Sequence, residues 1–273
     1  MLKCGVMLMN DRGPDGQPWD WKKKLAEWRT LGLRGADVFR GMMEHVGETP
    51  KSMAAILRDI GLEPTVFCLS TNLVSPEPDA RATSLDAIKY GIDACGELGV
   101  CHLFSYGGQH SNSGEDAFLR YMDGLRQAAA LVNDAGLLFS IENAGTMCNS
   151  GDSLARTLRE VAMPNMRITF DGGNFITCGD EPHTAILKLR KSVAHVHVKS
   201  HVVAPVGYPR PYKYCPTGEG HPDYRYIRDR LIEVGYDGWL SFEPEGGFDS
   251  CWERSIAALA EIIAERSAAQ KIG

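Results

Sequence analysis

The sequence predicts an α/β fold, a single (β/α)8 barrel, and three observations carry that prediction. Short β-prone apolar runs alternate with amphipathic helical runs through the whole sequence, eight times over, the pattern of a parallel sheet with crossover helices. The helical runs repeatedly stop at a glycine just before the next strand: Leu31-Gly32-Leu33, Ile60-Gly61-Leu62, Leu98-Gly99-Val100, Ala135-Gly136-Leu137 and Val234-Gly235-Tyr236. Glycine is the expected residue there, because it enters the left-handed region without steric cost. No low-complexity linker or composition shift divides the 273 residues, a length near the roughly 250 of such barrels. One domain over 1–273 is therefore expected. A doubly wound open sheet is the competing arrangement, but no GxGxxG follows the first strand, so a dinucleotide fold has no direct support.

The elements follow in order. Leu2–Leu8 reads as a strand and Trp19–Leu31 as an amphipathic helix; Arg34–Phe39 as a strand and Thr49–Ile60 as a helix. Leu62–Leu69 and Ala80–Leu98 form the third unit, Val100–Tyr106 and Gly114–Ala135 the fourth. Leu137–Glu142 with Asp152–Val161, and Met166–Asp171 with Glu181–Arg190, form the fifth and sixth. Val193–Val198 with Tyr224–Val234, and Gly238–Glu243 with Cys251–Ser267, complete the eight. The longest irregular stretch is Ser200–Asp223, rich in proline and tyrosine. A loop of that length in a compact domain is usually functional, and after the seventh strand it overhangs the barrel mouth.

Composition excludes several functions. The 44% apolar content suffices for a sizeable core, and the net charge of −6 argues against a nucleic-acid surface, which is usually basic. The basic residues are scattered, apart from Lys22-Lys23-Lys24 at the solvated start of a helix. The eight cysteines include no CxxC pair and read as buried, reduced thiols. The N-terminal stretch lacks the longer apolar core and cleavage site of a signal peptide. No run approaches the roughly 20 apolar residues of a membrane span. A soluble, cytoplasmic protein without membrane or nucleic-acid partners is expected.

Four segments carry the chemistry: SIENAG at Glu142, TFDGGNF at Asp171, HVHVKS at His197 and LSFEPE at Glu243, spaced 29, 26 and 46 residues apart. Side chains alternate faces along a strand. Ser140 and Glu142 therefore share one face, as do Thr169 and Asp171, then His195, His197 and Lys199, then Ser241 and Glu243. The opposite faces are Phe139 and Ile141, Ile168 and Phe170, Ala194, Val196 and Val198, and Leu240 and Phe242. Barrel interiors are normally filled by branched apolar residues, and barrel active sites lie at the C-terminal strand ends. Four polar inner faces with ionisable tips therefore mark the site end. Converging carboxylates raise one another's pKa unless a cation intervenes. Three carboxylates and an imidazole suit one divalent ion, Mn²⁺ preferred over Mg²⁺ or Co²⁺, with Zn²⁺ a poorer match.

Each residue alone also has an ordinary reading. Glu142 could start a helix, Asp171 before two glycines could be a turn residue, His197 a hydrogen-bonded structural histidine, Glu243 a solvated acid. Their shared face and sequential order favour convergence. His195 lies one layer deeper and reads as structural. His45, His102, His110, His201 and His221 read as structural or surface residues. Asn174, His183 and Tyr106 are expected to line a substrate site, and Lys199 to contact a hydroxylated or anionic substrate, with a salt bridge to a neighbouring acid as its alternative.

These segments resemble the xylose isomerase-like TIM barrels, which include sugar isomerases, epimerases and the endonuclease IV type of DNA repair enzyme. The family's metal-binding Glu on strand five is matched by Glu142, its strand-six Asp by Asp171, its strand-seven His by His197 and its strand-eight Glu by Glu243. Gly218-Glu219-Gly220-His221-Pro222-Asp223-Tyr224 is similar to the family's GEGxxDY motif. The resemblance implies an isomerase or epimerase of a small sugar or keto-polyol. Glu142 and Glu243 would be its acid/base pair, and the metal would stabilise an enediolate. It also implies a polyhydroxylated small-molecule substrate and a homodimer or homotetramer. Epimerases of the family often carry a His three residues after the strand-six Asp and an Arg six after the strand-seven His; Asn174 and Val203 stand there. The repair enzymes' extra ligands are replaced by Tyr106, Tyr212 and Tyr214. A dehydratase branch acting on inososes or dehydroshikimate shares the HxK pattern of His197-Val198-Lys199, although Ala144 stands where its dehydroshikimate members often have a His.

Overall fold

The strand ends meet because eight parallel strands close on themselves. The computed structural model describes residues 1–9, 20–106, 113–244 and 252–265. The barrel strands are β1 (Lys3–Leu8), β2 (Gly35–Phe39), β3 (Glu63–Ser70), β4 (His102–Tyr106), β5 (Leu138–Glu142), β6 (Met166–Asp171), β7 (Val193–Val198) and β10 (Trp239–Phe242). They pair in the closed order β1-β10-β7-β6-β5-β4-β3-β2. The connecting helices are α1 (Trp21–Thr30), α2 (Arg40–His45), α3 (Pro50–Ile60), α4 (Pro78–Leu98), α5 (Glu115–Asp134), α6 (Gly151–Val161), α7 (Gly172–Thr177), α8 (Pro182–Leu189), α9 (Tyr224–Ile232) and α10 (Trp252–Ala264). No described helix is long and apolar enough to cross a membrane.

Local chemistry sets the helix ends. Thr49 and Ser52 form a capping box at the start of α3, and Gly61 ends it in the left-handed region at φ 82°. Ser150 and Ser153 form a second box at α6. Each box satisfies two backbone donors that the first turn leaves unpaired.

Three features depart from the sequence expectation. Helices α2 and α7 were not anticipated, because six-residue segments are too short to show a 3.6-residue period, and α7 begins Gly172-Gly173. The Ser200–Asp223 stretch is not wholly irregular: β8 (Ser200–Val203) and β9 (Tyr212–Cys215) form an antiparallel hairpin with Ser200 opposite Cys215 and Val203 opposite Tyr212. The thiols are also not uniformly buried: Cys4, Cys68, Cys95 and Cys148 are, but Cys101 and Cys178 are exposed. The expected helix ends at Trp19, Cys251 and Ser267, and His110, lie outside the described residues.

The two faces of the sheet have different fillings. Phe139, Ile141, Ile168, Phe170, Val196, Val198, Leu240 and Phe242 all join the main core between sheet and helices. Inside the barrel, Met7, Val66, Cys68 and Phe104 form a separate apolar cluster on the β1, β3 and β4 side. The β5, β6, β7 and β10 side is polar and buried, with Ser140, Glu142, Thr169, Asp171, His195, His197, Ser241 and Glu243. The barrel interior is thus apolar on part of one side and polar elsewhere.

Candidate metal centre and proton-transfer site

Register levels Asp171 with His197, while Glu142 stands opposite Thr169 and Glu243 lies two residues beyond Ser241. Asp171 stands opposite His197 across β6 and β7, and His197 opposite Ser241 across β7 and β10. The Glu243 N–H donates to the Val198 carbonyl at 3.0 Å, extending the ladder one residue. Donor atoms of Glu142, Asp171, His197 and Glu243 all lie within 4.8 Å of one another, and all four residues are buried. His197 Nδ1 is 2.6 Å from Glu142 Oε1 and 3.3 Å from Glu243 Oε2. Lys199 Nζ is 2.9 Å from both Asp171 Oδ2 and Glu243 Oε2.

The charges explain the protonation pattern. Two unit charges 4 Å apart interact by about 4 kcal/mol at an effective dielectric of 20, so three carboxylates cannot all ionise here without cations. His197 and Lys199 supply two positive charges against three acids. Burial raises the Glu142 carboxyl, and the nearby Glu243 charge adds to that. Burial also raises Asp171 well above the usual carboxylate range, against the pull of Lys199. Burial opposes ionisation of Glu243 too, but Lys199 and His197 outweigh it and hold Glu243 well below that range. His197 is raised well above an ordinary imidazole, because Glu243 and Glu142 override its burial.

Main-chain clamps hold these groups. Asp171 caps α7, its Oδ1 accepting from the Asn174 N–H at 2.9 Å, so the turn-residue reading and the cluster reading both describe the same side chain. Asn143 donates to the Asp171 carbonyl at 2.7 Å and accepts from the Asp171 N–H at 2.8 Å. Tyr224 Oη accepts from the Lys199 N–H and donates to the Lys199 carbonyl, both at 3.0 Å.

A second polar layer lies beneath. Asp37 of β2 is fully buried and accepts from Thr65 and, at 2.8 Å, from Ser241 on Oδ1. Its Oδ2 is 2.8 Å from His195 Nε2 and 3.3 Å from His197 Nε2. Burial opposes its ionisation, yet His195 and His197 hold it well below the usual carboxylate range. A Cβ on Gly5 would strike Ser241 Oγ and come within 3.3 Å of Ser241 Cβ, so glycine there leaves room for the hydroxyl that reaches Asp37. His102 Nε2 is 2.7 Å from Ser140 Oγ, which is 2.8 Å from Thr169 Oγ1; burial pushes this imidazole down to about 3.

The residues expected to contact substrate are placed differently from one another. Tyr106 donates to Glu243 Oε1 at 3.4 Å, so it borders the cluster. Lys199 makes the salt bridges that were its alternative reading. Asn174 sits in the first turn of α7 beside Asp171. His183 lies apart: its Nε2 accepts from the Asp223 N–H at 3.1 Å, its Nδ1 is 3.3 Å from Glu181, and its ring meets Tyr226. It lines a cavity of about 460 Å³ with Ile176, His201, Tyr212 and His221. The α7 helix carries the chain outward before His183, a turn that proximity in sequence to Asp171 could not reveal. Asp37, Asn143 and Tyr224 were not anticipated. The only sequence signal for Asp37 was an acid inside the apolar strand run Ala36-Asp37-Val38.

The donor chemistry fits a divalent cation. Glu142 Oε1 and Glu243 Oε2 converge on His197 Nδ1, and Asp171 Oδ2 shares the Lys199 ammonium with Glu243 Oε2, so three carboxylates and one imidazole form a hard-to-intermediate donor set.

Comparison with known proteins places this geometry in a family. The family model described as xylose isomerase-like TIM barrel matches residues 25–262. Uncharacterized protein MJ1311 of Methanocaldococcus jannaschii is 26% identical over 189 residues, 67% of this chain and 63% of that protein; the match thus spans less than two thirds of that relative's length. An inosose dehydratase of Clostridium beijerinckii is 21% identical over 269 residues, 89% of this chain and 88% of the relative. Among solved structures, the probable 3-DHS dehydratase AsbF from Bacillus anthracis superposes with a TM-score of 0.77 at 16% identity, covering 97% of this chain and 99% of that one. D-psicose 3-epimerase with D-tagatose from Clostridium cellulolyticum H10 gives 0.72 at 16% identity, covering 96% and 98%. The IOLI protein, solved with a zinc atom, gives 0.73 at 12% identity, covering 96% and 95%.

Proposed function

We propose that this chain, which belongs to the xylose isomerase-like TIM barrel family, is a divalent-metal-dependent isomerase or epimerase of a small sugar or keto-polyol. Glu142, Asp171, His197 and Glu243 hold one ion, with Mn²⁺ preferred. Relatives' descriptions name sugars in several cases and zinc or magnesium in others, so the substrate and the choice of ion are proposals for this chain. The bound ion would supply positive charge to substrate oxygens as carbanion character develops beside a carbonyl.

The observation that carries the reading is the convergence of two buried glutamates on one imidazole: His197 Nδ1 is 2.6 Å from Glu142 Oε1 and 3.3 Å from Glu243 Oε2. Without the ion, burial and the Glu243 charge push Glu142 up, while Lys199 and His197 hold Glu243 down, the kind of difference that divides acid and base roles. Glu243 takes the proton from carbon and Glu142 holds one to return. Tyr106 orients Glu243 through its hydroxyl, and Asn143 fixes Asp171. Burial of the cluster keeps bulk water from exchanging the transferred proton before it is delivered.

A second reading, a dehydratase of the inosose or 3-dehydroshikimate type, is favoured by Lys199. A buried ammonium beside the proton-transfer pair suits a departing hydroxyl, and the Clostridium beijerinckii relative is described as an inosose dehydratase. Incubation of the metal-loaded protein with a ketose and inosose panel in D₂O separates the two. Deuterium entering carbon with the substrate skeleton intact identifies an isomerase or epimerase; loss of water identifies a lyase. In either case Glu243→Gln is expected to lower the rate about 100-fold or more, the usual scale for one general base. Unchanged turnover in that variant, or no reaction with any panel member, counts against the proposal.

A further inference from the structure

We infer that the Lys199 ammonium is a resident counter-ion, holding in the metal-free chain the carboxylate oxygens that a divalent ion takes, so that ion binding displaces it. The inference rests on the metal reading above. Lys199 is 1% exposed, a state lysine almost never adopts unless paired. Its Nζ stands 2.9 Å from Asp171 Oδ2 and 2.9 Å from Glu243 Oε2. Both acids belong to the group whose donor atoms lie within 4.8 Å of one another.

An ion bound to these two oxygens at ordinary metal–oxygen distances of about 2.0–2.2 Å would compete with an ammonium already in contact with both. Two cations would then sit a few ångströms apart in a buried site, where screening is weak. The lysine backbone cannot move aside, because Tyr224 binds both its N–H and its carbonyl at 3.0 Å. The stem is also confined, since even a Cβ on Gly173 would strike Lys199 Cγ and lie 2.8 Å from its carbonyl oxygen. Displacement therefore falls to the distal side chain alone.

Two consequences follow. The chain folds without an ion, because its acids are already partly neutralised. Ion affinity is set by competition, so removing the ammonium strengthens binding. The opposite role, in which Lys199 holds the acids ready for the ion, makes removal weaken it.

The test uses the full chain stripped of metal, with Lys199→Met and Lys199→Gln beside the parent. Mn²⁺ binding is followed by calorimetry and folding by circular dichroism. The expected result is one Mn²⁺ per chain in the parent and at least about tenfold tighter binding in both variants, a change worth about 1.4 kcal/mol. Variants that are unfolded alone but fold on adding Mn²⁺ also support the inference, because the ion then replaces the missing charge. Binding equal to or weaker than the parent overturns it and leaves the metal site standing, as does failure to fold with or without Mn²⁺. A parent that binds no Mn²⁺ overturns the metal reading itself, and this inference with it.

Discussion

Replacing Asp37 by Asn removes one charge from the layer beneath the metal ligands and changes almost no volume. The wild-type carboxylate is fully buried, accepts from Thr65 and Ser241 on one oxygen, and faces His195 at 2.8 Å and His197 at 3.3 Å with the other. Asn keeps an oxygen for Thr65 and Ser241 but turns a donor toward the two imidazoles. A hydrogen bond to a charged group is worth about 1.5–3 kcal/mol, and removing one partner of a buried pair costs about 3–5 kcal/mol. Because the oxygen facing the hydroxyls survives, the lower end applies, about 3 kcal/mol. At about 2–4 °C per kcal/mol for a domain of this size, the midpoint should fall by about 6–12 °C. The pH dependence has a definite sign. The Asp37 carboxyl lies below its ordinary range in the folded chain, burial being outweighed by His195 and His197. Its contribution is therefore complete above the unfolded value of about 3.9 and is lost as pH falls through it toward the folded value. Denaturant unfolding of parent and variant should show a constant gap from about pH 5 to 7 that narrows below about pH 4. A gap under about 0.5 kcal/mol at pH 7, or one that does not change between pH 6 and pH 3, refutes the reasoning.

Other perturbations test other parts of the site. Gly173→Ala places a methyl against the Lys199 stem and carbonyl, backbone that cannot yield, so a loss of about 1–3 kcal/mol is expected, the usual range for overpacking; a variant as stable as the parent in a thermal melt contradicts that packing. Asn143→Ala removes both bonds that clamp Asp171 and should weaken Mn²⁺ binding by about 10–100-fold, the scale for groups that orient ligands; calorimetry showing an unchanged Kd counts against the clamp. His183 bonds Asp223, faces Glu181 and meets the Tyr226 ring, none of them a proposed ion ligand, so His183→Ala should leave the Mn²⁺ Kd within about twofold of the parent, additivity being the rule for sites without shared partners; a large change would return His183 to the ion site.

Strand alternation made the polar half of the barrel legible. Four successive strands each put a carboxylate or imidazole on the face opposite an apolar run, and closure of the parallel barrel turns that into convergence. Asp37 escaped because a single acid between Ala36 and Val38 looks like a solvated edge residue until the barrel closes and brings β2 across from β7. Asn143 and Tyr224 act on backbone atoms of Asp171 and Lys199, and such contacts leave no periodic trace in a sequence. The glycine stops between helix and strand were readable because a positive φ has one cheap residue. Helix α7 was not, since its Gly172-Gly173 start reads as a turn, and the Asp171 carboxylate that caps it does so at the Asn174 N–H. That same helix carried His183 away from the cluster despite its closeness in sequence.

The central claim is that Glu142, Asp171, His197 and Glu243 together hold a divalent ion. Calorimetric Mn²⁺ titration of the metal-free parent against Glu142→Gln and His197→Ala tests it most directly. The account predicts one ion per chain in the parent and at least about 100-fold weaker binding in each variant, beyond the scale of ligand-orienting groups. Variants that bind Mn²⁺ as tightly as the parent would contradict it.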